Sequence, residues 1–212
     1  MTEREAFVRR ICENPACDTA RLVYADWLQE NGDEPRAEFI RAQVELAAGG
    51  MRHTHTAGQP GGCRLCRLRR VQSRYIEGPG RAEVARLFDR DPNDLWYGGA
   101  SLVRLGPGQS QDFAVEFARG FVWRIECTWG DYFRRAATVF REHPIEDVRL
   151  IDAVIFPSGG NDTYYVGGLG GFPQQYWRRL ESHRTRHAAA KALARVCVDH
   201  GRELAGLPPL FG

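Results

Sequence analysis

Lysine is almost missing from this 212-residue chain: Lys191 is the only one, and every other basic side chain is arginine. Arginine suits planar recognition of phosphate and carboxylate. Here the excess is spread over the whole chain, as GC-rich coding would also spread it. A field of one sign is missing too. The formal net charge is +2, which excludes a strong global pull toward nucleic acid or acidic membranes. Long apolar runs are absent, and the longest fall far short of the ~20 residues of a bilayer-spanning helix. No charged segment followed by an apolar one opens the chain, so no export signal is read. These absences predict a cytoplasmic protein with no membrane partner. The six cysteines, at positions 12, 17, 63, 66, 127 and 197, are scattered. Without an export signal they read as reduced thiols or metal ligands, not as a disulfide framework. A nucleotide loop is missing as well: the glycine-rich stretch 158–171 has neither GxGxxG nor GK[ST], and Phe172-Pro173 follows it.

What is present is ordinary globular composition, 43% apolar and 26% charged, enough to build a core. Thr2 and Glu5 form a capping box for a first helix with Phe7, Val8, Ile11 and Cys12 on one face, and Asn14-Pro15 ends it. Asp18 is expected to cap the next helix, 21–29. Asn31-Gly32 closes that helix through a left-handed glycine, Asp33 caps a third, and Pro35 sits in its first turn. Tyr24, Trp27, Leu28, Phe39 and Ile40 supply the apolar surface of this hairpin, with Trp27 expected as a large buried ring. Asp26 needs a partner among the nearby arginines, Arg21, Arg36 and Arg41. Either this pair fixes the hairpin, or Tyr24, Asp26, Trp27 and Arg41 form a recognition surface.

The run Arg21-Leu22-Val23-Tyr24-Ala25-Asp26-Trp27-Leu28, followed by Gly32-Asp33 and by Arg36-Ala37-Glu38-Phe39-Ile40-Arg41 with Gln43, resembles the repeat-companion domain. In that family a small helical module precedes leucine-rich or other repeats. Glu13-Asn14-Pro15 also fits the pattern, whereas Cys17 stands where an acidic residue is expected. The resemblance covers about the first fifth of the chain and implies no catalytic residues. The later segment 120–153 is similar to one degenerate leucine-rich unit. A solenoid needs about three such units to bury a continuous core, so a short mixed sheet with packed helices is expected instead.

Beyond the module, 49–62 reads as loop, and Cys63 opens a helical pattern that Gly78-Pro79-Gly80 is expected to stop. Phe113, Val115 and Phe117 alternate, then Phe121, Trp123, Ile125 and Cys127 alternate after Arg119-Gly120, which predicts a hairpin. A helix over 130–142, ended by His143-Pro144, and a strand near Val148 complete a strand–helix–strand unit. Residues 174–203 read as helical in two parts. The expected fold is α+β: a helical module over 1–48, a loop and helices over 49–99, and a small mixed sheet with C-terminal helices over 100–212.

The chemistry on offer is modest. His53-x-His55 with Cys63-x-x-Cys66 has the donors of a closed, structural zinc site, with both thiols available from one turn. The alternative is two solvated histidines and two thiols on a helix face. Arg64, Arg67, Arg70 and Arg74 beside that site suggest a nucleic-acid face, or a solvated helix flank. Cys197, Asp199 and His200 look like a triad, but Cys197 fits the apolar stripe of its own helix. A non-enzymatic protein, working through a protein partner or self-association, is the expected function. A zinc-stabilised nucleic-acid-binding module is the alternative.

Overall fold

The computed structural model of the chain describes residues 1–52, 54, 62–98, 101–105, 113–157, 164–167, 180, 183 and 185–211. Helix α1, Glu3–Glu13, starts on the expected capping box: Thr2 Oγ1 accepts from Glu5 N at 3.2 Å, and Thr2 N donates to Glu5 Oε2 at 2.7 Å. Helix α2 spans Asp18–Glu30. Here the expected cap is corrected. Asp18 is the first helical residue and Cys17 holds the cap position with no side-chain bond. The Asp18 carboxylate instead faces Arg119 at 3.5 Å and sits near the positive end of the helix dipole. Gly32 takes φ +85° at the stop, and Asp33 Oδ1 accepts from Arg36 N at 3.3 Å to open helix α3, Glu34–Ala47.

Helix α4, Arg64–Tyr75, does not stop at Gly78-Pro79-Gly80. A π-helical turn, Ile76–Gly80, carries it directly into α5, Arg81–Phe88. The wider turn accommodates a proline that has no N–H to give, and a Cβ at Gly80 would meet the Tyr75 ring at 3.3 Å.

Five strands follow: β1 Leu95–Tyr97, β2 Leu102–Leu105, β3 Ala114–Ala118, β4 Phe121–Cys127 and β5 Asp147–Leu150. They lie in chain order, antiparallel except for β4 and β5, which run parallel. Helix α6, Trp129–Glu142, joins that parallel pair, giving one strand–helix–strand unit. The ribbon of β6 Val154–Pro157 and β7 Tyr164–Gly167, and helix α7, Arg186–Leu204, complete the described chain. The fold is α+β with a mixed sheet, as the periodicities predict.

The β3–β4 turn is Arg119 (φ +51°) and Gly120 (φ +85°), the two left-handed positions of a tight hairpin. A bulge breaks the predicted alternation. Glu116 pairs Arg124 but Phe117 pairs Val122, so Trp123 is left over. Val122 is buried, while Trp123 is half-buried and lies 4.3 Å from the Arg124 guanidinium. The main apolar core runs from Phe39 through Tyr75, the sheet and α6 to Val198. A second cluster joins Ile11, Tyr24, Leu28 and Ile40 to Phe121 at the start of β4.

Candidate binding cleft

Arg36, in the first turn of α3, is 5% exposed and surrounded by rings: its guanidinium carbon lies 5.2 Å from Phe121, 5.3 Å from Tyr75 and 6.0 Å from Phe39. A buried cation needs partners. Nη1 donates to the Tyr75 hydroxyl at 2.6 Å and to Glu83 Oε2, from α5, at 2.5 Å. Burial opposes the Arg36 charge, but Glu83 and Tyr75 outweigh it and hold the guanidinium protonated. Burial alone would lift the Glu83 carboxyl, yet Arg36, and His143 after it, hold it below the usual carboxylate range. His143, just past α6, accepts from Val122 N through Nδ1 at 3.2 Å and turns Nε2 toward Glu83 Oε1 at 3.6 Å. Burial pushes its pKa down to about 4, so the ring is neutral at pH 7. Helices α3, α4 and α5, the end of α6 and the sheet thus meet at one charged cluster inside the protein.

Over this cluster opens a cleft of about 760 Å³, within the range of small-ligand sites. Arg4, Val8 and Arg9 of α1 form one wall, Arg86 of α5 with Arg141 and Glu142 of α6 another, and Tyr24, Arg36, Glu83 and Phe121 the base. Arg86 forks onto Glu142, with Nη1 to Oε1 at 3.3 Å and Nη2 bonded to Oε2. Burial raises the Tyr24 hydroxyl pKa, and the Arg4 guanidinium beside it opposes the shift.

The predicted recognition residues do not form one surface. Tyr24 is buried at the base of the cleft. Trp27 is not the buried ring expected; it is half-buried, 5.8 Å from Phe7 and 5.9 Å from Tyr24, with Nε1 donating to Glu3 Oε2 at 3.3 Å. Asp26 does find its arginine: Arg41 Nη2 meets Oδ1 at 2.6 Å and ties α2 to α3. Both ends of that pair reach solvent, so it is worth less than about 1 kcal/mol. Arg21 is buried and donates to the Cys17 carbonyl at 3.3 Å.

Of the predicted zinc donors, His53 and His55 lie outside the described residues. Cys63 and Cys66 are half-buried and unbridged, at the cap and first turn of α4. Gly62 (φ +60°) packs closely on Cys66, since a Cβ there would stand 2.7 Å from Cys66 Cβ. Among the described residues no three metal-type side chains cluster. Arg64, Arg67, Arg70 and Arg74 all lie on the exposed side of α4, where Arg64 bonds both oxygens of Glu45. Cys197, Asp199 and His200 are buried structural groups. Tyr132 Oη donates to the Cys197 carbonyl at 2.7 Å and lies 3.0 Å from His200 Nδ1, and Asp199 Oδ1 accepts from the backbone of Leu210 and Phe211. Burial raises the thiols of Cys12 and Cys127 to about 12 and that of Cys197 further, so all three stay protonated and unreactive.

The Glu83–His143 pairing and the cleft were not legible in the sequence, because Glu83 on α5 and His143 past α6 lie far along the chain from the Tyr24 and Arg36 they meet. Gln43 belongs to the run that carries the family resemblance and has a visible task here: Oε1 accepts from Gly120 N at 2.7 Å, and Nε2 reaches the Phe117 carbonyl at 3.4 Å. No protein-family model, curated protein or solved structure matches the chain. No helix of the described residues is long and apolar enough to cross a membrane.

Proposed function

We propose that this is a non-enzymatic interaction protein, built on a helical module of repeat-companion type and binding its partner at the arginine-lined cleft. The observation that carries the reading is the state of the groups at the base of that cleft. Glu83 is neutralised by Arg36, His143 is turned inward between Val122 and Glu83, and Tyr24 keeps its proton. Such groups fix a surface; an acid–base catalyst needs a group poised to titrate near the working pH. The residues that carry the family resemblance support the same view. Arg36, Phe39, Ile40 and Gln43 are spent on internal packing and hydrogen bonding. The scattered cysteines of the sequence fit a reducing compartment, and we place the protein in the cytoplasm.

The test is hydrodynamic and biochemical. Sedimentation of the purified chain, with cross-linking in native lysate, should reveal a complex burying at least ~1,000 Å² in total. A chain that stays monomeric and partner-free, or that turns over a defined substrate, overturns the reading. A second reading has its own observation: α4 carries five arginines and no acidic residue. On that reading a zinc-pinned helix binds nucleic-acid phosphates, and retention on DNA or RNA should fall steeply with salt.

A further inference from the structure

The cleft contains more positive charge than it uses. Five arginines face three glutamates across its walls. Glu83 is engaged by Arg36, Glu142 by Arg86, and Glu5 by the Thr2 backbone in the α1 cap. Arg9 turns along its helix to Glu13 at 2.9 Å. Arg4 bonds the uncharged Tyr24 hydroxyl at the base, and neither it nor Arg141 has an ion pair to a carboxylate among the described residues. Helix formation does not account for Arg4, because it sits in the first turn of α1, where the dipole disfavours a cation. The lining beside these arginines includes half-buried Val8 together with Phe121 and Leu207, which are almost wholly buried. Arginine offers a planar fork matched to carboxylate and phosphate oxygens, and an apolar patch beside it takes the adjoining part of the same ligand.

We propose that the cleft binds a carboxylate or phosphate group attached to an apolar moiety, with Arg4 and Arg141 supplying the charge and Val8 the accessible apolar contact. The proposal deepens the interaction reading and rests on it. An acidic side chain of a partner protein and a small free anion offer the same chemistry, and the experiment separates them.

The full-length labelled protein is titrated by NMR with 4-phenylbutyrate, with phenyl phosphate, with the neutral 4-phenylbutyramide, and with an acetylated peptide of alternating Leu and Asp. The two small anions should shift the amide signals of Arg4, Val8 and Tyr24, and the neutral amide should not. R4A/R141A, whose changes are at the surface, should retain the unfolding midpoint and lose about tenfold or more in affinity for the anions. If that variant is destabilised, Arg4→Gln alone, together with weakening of wild-type binding by added salt, gives the same reading. Tighter binding of the peptide than of the small anions supports a protein source, and the reverse supports a free anion. The proposal is overturned if the amide binds as well as the acid, or if R4A/R141A binds the anions unchanged. A native partner retained at full strength by R4A/R141A would sink the cleft and leave the interaction reading standing, whereas turnover of a substrate would sink that reading itself.

Discussion

Arg36 and Glu83 show how much of this fold depends on single side chains. Their ion pair is surrounded by Phe39, Tyr75 and Phe121, so its value lies in what remains when one partner goes. Arg36→Met should strand the Glu83 carboxylate and cost about 3–5 kcal/mol, and adding Glu83→Gln should recover part of that loss. Urea midpoints at constant slope are the measurement; a single-variant loss below about 1 kcal/mol would mean that water reaches the pair. His143 sets a pH dependence beside it. An unfolded histidine takes up a proton near pH 6.5, whereas the buried ring resists until about 4. The unfolded state therefore binds more protons across that window. Stability is fully present above about pH 6.5 and is lost as pH falls toward 4, by roughly 2–3 kcal/mol. The depressed Glu83 carboxyl adds a loss of the same sign as pH falls below the ordinary carboxyl value of 4.5. His143→Gln should flatten the stability profile between these limits. A profile unchanged by that substitution would show that His143 is not held neutral.

The β3–β4 hairpin is the element on which the N-terminal helices close. Gly120 has φ +85°, and a Cβ there would stand 2.4 Å from Ile40 Cγ1, so α3 and the turn are in backbone contact. Gly120→Ala should cost at least about 2 kcal/mol, combining a left-handed alanine with overpacking against Ile40. An alanine variant of unchanged midpoint would mean that the turn moves freely off α3. This turn was legible in the sequence, since alternating apolar residues on both sides of Arg119-Gly120 leave few other structures. So were the Thr2–Glu5 box and the Asp33 cap, whose bonds span three residues. What failed needed distant partners. Pro79 reads as a helix stop until the π turn and the close approach of Tyr75 to Gly80 are seen. Trp123 reads as a core residue until the bulge removes it from register. Strands β1 and β2 are too short to show a period and exist because β3 pairs with β2. Trp27 and Tyr24 look alike in a helical pattern, and only Phe121 at the base of the cleft decides which ring is buried. The zinc expectation belongs to the segment joining α3 and α4. Purified protein should carry about one zinc per chain, lost in C63S/C66S. Chelation should change the main unfolding transition little, because Arg64–Glu45 and Gln43–Gln72 already hold α3 to α4. Metal analysis finding no zinc would remove this site.

At the scale of the molecule, helices α1 to α3 and the remainder share their interior. Phe39 of α3 belongs to the core of the sheet, and Phe121 of β4 belongs to the core of α1, α2 and α3. Gln43 bonds across to the hairpin, and Arg36 bonds across to α4 and α5. Arg202, near the end of α7, closes the chain: it is 1% exposed, its Nη1 donates to the Cys12 carbonyl at 2.8 Å over 190 residues, and its Nε donates to the Pro208 carbonyl at 2.6 Å. A unit of 48 residues cut from this setting keeps its caps and loses most of what its apolar face packs against, and chains near that size seldom fold without help. The whole protein should therefore unfold in one cooperative transition, with far-UV circular dichroism and tryptophan fluorescence giving the same midpoint. The isolated 1–48 fragment should show little helix at 25 °C. Arg202→Met should lower the midpoint for both probes equally, because it removes a bond shared by the first and last helices. Two separated transitions, or a fragment 1–48 that melts on its own with native-like helicity, would show that the module folds independently and that the contacts of Phe121, Gln43 and Arg202 are docking contacts between domains.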